Sequence, residues 1–133
     1  SRYDNPQRNN LPTLEYRQRK TLTVFLATPP WDLKPGETVP LKLQIRSRYG
    51  IRQLIWQGDT QILSLTPGAQ ANSAEGWTLI MPDWQNGERA SNHWRLSVVV
   101  EDNQGQRVSS NEITLTLVEP FDALSNDELR WEP

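Results

Sequence analysis

Apolar and polar side chains alternate along most of the chain, the period of strands buried on one face. "TLTVFLA" (21–27) sets Leu22, Val24 and Leu26 on one side. "TVPLKLQIRS" (38–47) sets Val39, Leu41, Leu43 and Ile45 against Lys42, Gln44 and Arg46. Pro40 has no N–H for a ladder, so that end of the strand belongs at an edge or a first position. Between the two runs, Pro35-Gly36 has the chemistry of a type II turn. "YGIRQLIWQGD" (49–59) breaks at Gly50 and closes at Gly58-Asp59, with Leu54 and Trp56 on one face and Ile55 on the other. "QILSL" is a further short strand, followed by the loop "TPGAQANSAEG", the strand "WTLIMP" and the polar loop "DWQNGERASN". The strongest pair comes last. Trp94, Leu96, Val98 and Val100 line one side of "HWRLSVVVED", and Ile113, Leu115 and Leu117 line "NEITLTLVEP". They read as an antiparallel hairpin joined by a longer connection, "NQGQRVSS", with Gly105 as turn residue. Helical spacing occurs only in the tail "FDALSNDELRW". Ser125 and Glu128 form a capping box there, so the tail is either a short docked helix or a frayed terminus.

About seven strands separated by turn signals predict an all-β, immunoglobulin-like antiparallel β-sandwich. Each sheet has one apolar face, and two such faces must meet or stay wet. Val24, Leu43, Val98 and Leu115 are expected at that dry seam, with Trp56 filling its middle.

Composition narrows the chemistry. At 133 residues the chain suits one domain that buries its own core. It has no cysteine, so disulfide staples and thiol catalysis are excluded. A net charge of −2 gives no case for nucleic acid, and the arginines at 46, 48 and 52, like Arg17, Arg19 and Lys20, read as solvated strand faces. No run approaches the roughly 20 apolar residues of a membrane helix. There is no signal-peptide pattern, and the abrupt polar start suggests a fragment of a longer chain.

Candidate chemistry is sparse. His93 is the single histidine and stands at the mouth of a strand, too little for an imidazole metal site or a triad. Asp32, Asp59, Asp83 and Glu88 fall on loops, where aspartate mostly serves turns. Asp83 with Glu88 is the best pair an acid–base enzyme would have. "EDNQGQ" has Asp102 and Asn103 before Gly105 but lacks the alternating ligands of a calcium loop, and a hairpin turn explains it better. No cofactor motif is present. Tryptophan is the unusual resource, with six in the chain. Trp31 and Trp84 lie on loops and are the candidate ligand-binding residues, as stacking platforms of a carbohydrate-binding module or anchors for a protein partner. The competing reading folds both rings back over the ends of the core.

Three stretches, in order, resemble one family. The first carries Ser1, Arg2, Tyr3 and Asp4, then Arg8, Asn9 and Asn10, then Leu14, Glu15, Tyr16 and Arg17. It resembles the junction that follows the outer-membrane β-barrel in the intimin/invasin family of inverse autotransporters, with Gln18 and Arg19 in place of a more basic run. "SRYGIRQLIW" (47–56) resembles that family's lead into a tryptophan-bearing strand, and "VVVEDNQGQRVSSN" (98–111) its strand–turn pattern. The resemblance runs over residues 1–119. It implies a polar leader at 1–12 after the barrel, an Ig-like domain at 13–119 and a tail at 120–133. It also implies a non-enzymatic, monomeric first passenger domain displayed at the surface of the outer membrane. Such a domain has its own β-barrel and host-cell or surface ligands as partners, acts as a structural or spacer element, and shares in adhesion or biofilm formation. Nothing in the chain resembles the family's lectin-like receptor-binding tip, so adhesion does not follow from these residues.

Overall fold

A computed structural model describes residues 21–119, and the capping-box tail and polar leader lie outside the described residues. The strands, in chain order, are β1 (Leu22–Leu26), β2 (Thr38–Pro40), β3 (Leu43–Ser47), β4 (Ile51–Gly58), β5 (Ser64–Thr66), β6 (Thr78–Ile80), β7 (His93–Asp102), β8 (Arg107–Ser109) and β9 (Ile113–Thr116). All ladders between them are antiparallel.

Nine elements reduce to seven strands, because two pairs are halves of one run (9 − 2 = 7). β2 and β3 are separated by Leu41 and Lys42 alone. The Leu41 N–H donates to Trp77 O (2.9 Å), prolonging the β2–β6 ladder, and the Ala27 N–H donates to Lys42 O (3.0 Å), prolonging β1–β3. One layer therefore has the order β1–(β3/β2)–β6–β5. The other is β4–β7–(β8/β9), since β8 and β9 pair successive parts of the same edge of β7. These are the two sheets of a constant-type immunoglobulin sandwich.

The break at Pro40 has a local cause. Alternation in the ladders turns the Pro40 nitrogen away from β6 and towards β1, and β1 turns away after Ala27. The missing donor therefore falls where no acceptor is needed. The edge position read from the sequence holds, but it falls inside the run, not at its start. The Pro35-Gly36 turn also forms: the Glu37 N–H donates to Lys34 O (3.1 Å), and Gly36 has φ +74°.

The core forms as the alternation requires. Leu26, Val39, Leu79, Leu96, Val98, Val100 and Leu115 are fully buried. Of the four seam residues expected from the sequence, Val98 and Leu115 are fully buried, while Val24 and Leu43 are half-buried. Trp56 is a correction. It is half-buried because β4 is the edge of its sheet, and the buried indoles are Trp77 and Trp94. Trp56 packs against Trp77 at 5.3 Å between ring centroids, tilted by 59°. The connection after β7 is a second correction. "RVS" is itself strand β8, so the loop shrinks to a tight turn closed by the Gly105 N–H donating to Asp102 O (3.1 Å).

The Asn111 side chain ties the two sheets together. The Leu26 N–H donates to Asn111 Oδ1 (2.9 Å), and Asn111 Nδ2 donates to Leu26 O (2.8 Å). A side-chain amide thus pairs the open edge of β1 as a peptide would, where an unpaired buried backbone would be costly. A parallel bridge, Leu33 to Leu117, draws the segment after β1 across to the second sheet, with the Val118 N–H on Leu33 O (2.9 Å).

Candidate functional site

The topology places the loops. β1 runs from a leading end, marked by Thr21, the β3–β4 turn and the β7–β8 turn, towards a trailing end. The trailing end holds the β1–β2, β4–β5 and β6–β7 loops. It also holds the chain after β9, because Thr116 pairs with His93 at the start of β7. Trp31 and Trp84 both lie on trailing-end loops.

Their surroundings differ. Trp31 is 41% exposed and borders a cleft of about 230 Å³ lined by Ala27, Thr28, Pro29, Pro30, Pro40 and Lys42. Its Nε1 donates to Glu37 Oε2 (2.8 Å), and Glu37 Oε1 accepts from the Lys34 N–H (2.9 Å). One carboxylate therefore ties the Pro-Gly turn and holds the ring in place. Trp84 does not line this cleft and packs against the core, half-buried. Its loop is tied by Asn92, whose Oδ1 accepts from the Gln85 N–H (2.7 Å) while its Nδ2 donates to Gln85 O (3.0 Å).

The carboxylates serve the backbone. Asp59 Oδ2 accepts from the Arg95 N–H (2.7 Å). Asp102 is fully buried at the end of β7. Its Oδ1 accepts from the Gln104 and Gln106 N–H groups (2.9 and 2.8 Å) and its Oδ2 from Gln106 Nε2 (2.8 Å), so it organises the β7–β8 turn as the hairpin reading expected. Asp83 and Glu88 stand exposed on the β6–β7 loop. His93 is exposed at the start of β7. Among the described residues no three of His, Cys, Asp and Glu converge as a metal site would require.

The sequence reading passed over one cluster at the leading end. Glu101 is buried beneath Arg52 (Nη1 to Oε2, 3.1 Å) and Arg107 (Nη2 to Oε1, 3.4 Å), and Gln53 Nε2 also donates to it. The Gln53 hydrogen bond, then the charges of Arg107 and Arg52, hold its carboxyl below the usual glutamate range against the opposing pull of burial. Arg52 reaches it because β4 shifts register between Ile51 and Gln53. A bulge of that kind leaves no mark in an alternating sequence.

The sequence model of the YchO Ig-like domain family matches residues 20–115. The chain belongs to the YchO Ig-like domain family. The YchO protein of Escherichia coli (strain K12) is 99% identical over 133 residues, which are all of this chain and 29% of that protein. Intimin of Escherichia coli O157:H7 is 31% identical over 97% of this chain and 13% of its own length. Invasin of Yersinia enterocolitica is 26% identical over 89% of this chain and 15% of its own length. Among solved structures, the D00-D0 domain of intimin aligns over 71% of this chain and 46% of its own, with a TM-score of 0.48 and 23% identity. The chain thus spans under a third of each of these curated relatives. The family assignment agrees with the sandwich built above, and the intimin/invasin relationship read from the three motifs holds.

Proposed function

We propose that this Ig-like domain is a non-catalytic spacer of an intimin/invasin-type protein, displayed outside the outer membrane next to the β-barrel that anchors it. Its share in adhesion or biofilm formation is to hold other parts of the protein away from the membrane. The observation that carries this reading is where the described segment enters and leaves the sandwich. Residue 21 lies at the leading end of the sandwich, and residue 119 leaves from the trailing end. A domain threaded end to end adds its full length to a row, whereas one with adjacent ends would hang to the side. The carboxylates supply support: those at 59, 101 and 102 are bound into turns and bulges instead of facing a common cleft. Folding outside the membrane would also resist back-sliding of the chain through the barrel.

The test fuses residues 1–133 behind the β-barrel of an intimin, with an epitope in the exposed loop at Gly87. Antibody should reach the epitope on intact cells, and deletion of 93–119 should lower display. An epitope reached only after permeabilisation rejects surface placement. Undiminished display of the deletion rejects the folding role.

A second reading, sugar binding, retains support at Trp31, where a fixed indole borders an open cleft. Glycan-array binding lost on Trp31→Ala and kept on Trp84→Ala would favour a Trp31 site. Binding lost on both would restore the two-tryptophan platform, and no binding to any glycan sets the reading aside.

A further inference from the structure

The two ends of the sandwich differ in charge. At the leading end the exposed side chains include Arg46, Arg48, Arg52 and Arg107. Arg52 and Arg107 keep 52% and 58% of their side-chain surface in water although each contacts Glu101. The carboxylates beside them, Glu101 and Asp102, are buried and occupied by internal partners. Negative charge is thus turned inward and guanidinium outward. One exposed acid, Glu75, stands on the β5–β6 loop at this end. The trailing end instead balances exposed Asp32, Asp83, Glu88 and Glu119 with Lys34, Lys42, Arg89 and Arg95, and keeps Glu37 and Asp59 half-buried. Tyr49 adds an amphipathic ring to the leading end. It is 42% exposed, with the Arg48 guanidinium 5.9 Å from its centroid.

We propose that this arginine–tyrosine end is a docking face for an anionic, phosphate-bearing lipid surface. The proposal rests on the barrel-proximal reading for the surface it would meet. Charge complementarity selects the partner. Guanidinium groups present forked donors to phosphate oxygens, and an adjacent tyrosine suits the depth of the headgroups. The confinement of the exposed positive excess to the leading end orients the domain. Screening confines the attraction to about 10 Å at moderate salt, while the ten residues of β7 span roughly 33 Å, so the leading end feels the surface and the trailing end does not. The net charge of −2 disfavours an extended polyanion such as duplex nucleic acid, which would meet the trailing end's carboxylates as well.

Co-sedimentation of the 133-residue chain with vesicles decides the matter. It should bind phosphatidylcholine vesicles doped with phosphatidylglycerol, release them at high salt and ignore pure phosphatidylcholine. Arg46→Glu with Arg48→Glu should weaken binding by at least about 30-fold, at about fivefold for each positive charge lost near an anionic surface and more for the reversal. Neither arginine side chain makes a hydrogen bond or salt bridge among the described residues, so thermal unfolding should match the parent and exclude misfolding. Asp83→Lys with Glu88→Lys should leave binding intact. Equal binding to neutral vesicles, equal affinity for duplex DNA, or competition by inorganic phosphate beyond that of chloride at matched ionic strength would each overturn the assignment. Loss of vesicle binding would leave the display result untouched, so failure here is separable from failure of the spacer reading.

Discussion

At the scale of single residues, two polar side chains hold places that apolar packing leaves open. Asn111 supplies one donor and one acceptor to Leu26, whose side chain is fully buried. Asn111→Leu keeps a similar volume and removes both bonds. It should lower the urea midpoint by the equivalent of about 2 kcal/mol with an unchanged slope. Glu101 makes a different prediction, in pH. Its folded-state affinity for protons is depressed, so the unfolded chain binds its proton more readily. The stabilisation is complete above the ordinary glutamate range and is lost as pH falls through the lower folded value. Thermal melts followed into acid should show a falling limb that Glu101→Gln makes shallower. A limb identical in both proteins would mean that the Arg52, Arg107 and Gln53 contacts contribute nothing.

At the scale of elements, β7 is the strand on which the second sheet depends, since it pairs β4 on one edge and β8 and β9 on the other. Leu96 lies fully buried on its inward face. Leu96→Ala should cost about 3 kcal/mol, while Thr114→Ala on the wet face of β9 should stay within about 0.5 kcal/mol by chemical denaturation. The end of β4 sets a second limit. Gly58 has φ +108°, and a Cβ there would meet Arg95 O at 2.3 Å. Gly58→Ala combines backbone strain with a clash against backbone that cannot rotate away, and should cost on the order of 3 kcal/mol or more. A midpoint close to the parent's would show that β4 can end otherwise.

At the scale of the molecule, the chain's direction through the sandwich carries the functional reading. Thr23 is exposed near the leading end and Glu119 is exposed at the trailing end. These 133 residues include no cysteine, so Thr23→Cys with Glu119→Cys gives a clean pair for spin labels. Their separation by pulsed electron resonance should centre at roughly 30–40 Å, the length of a ten-residue strand plus linkers. A short distance would put the entry and exit of the sandwich together and remove the basis for an in-line spacer. The same axis carries the charge asymmetry, so one geometry underlies both the spacer and the lipid-facing proposals.

The sequence by itself determined the architecture. Strand alternation puts every second side chain on one face, and 94, 96, 98 and 100, like 113, 115 and 117, are buried together on the inner face of a sandwich layer. The motifs at 1–17, 47–56 and 98–111 carried the family as well. Only the tertiary structure decided which tryptophans are buried, because burial depends on whether a strand is central or at an edge, and β4 carries no mark of its edge position. It also decided that Trp31 borders a cleft while Trp84 packs against the core. Loop residues close to the same end of a sheet are placed by loop ties such as Glu37 and Asn92, not by periodicity. The Glu101 cluster and the Asn111 clasp join residues 49 and 85 positions apart in the chain, and contacts at such separations exist only once the sheets have formed.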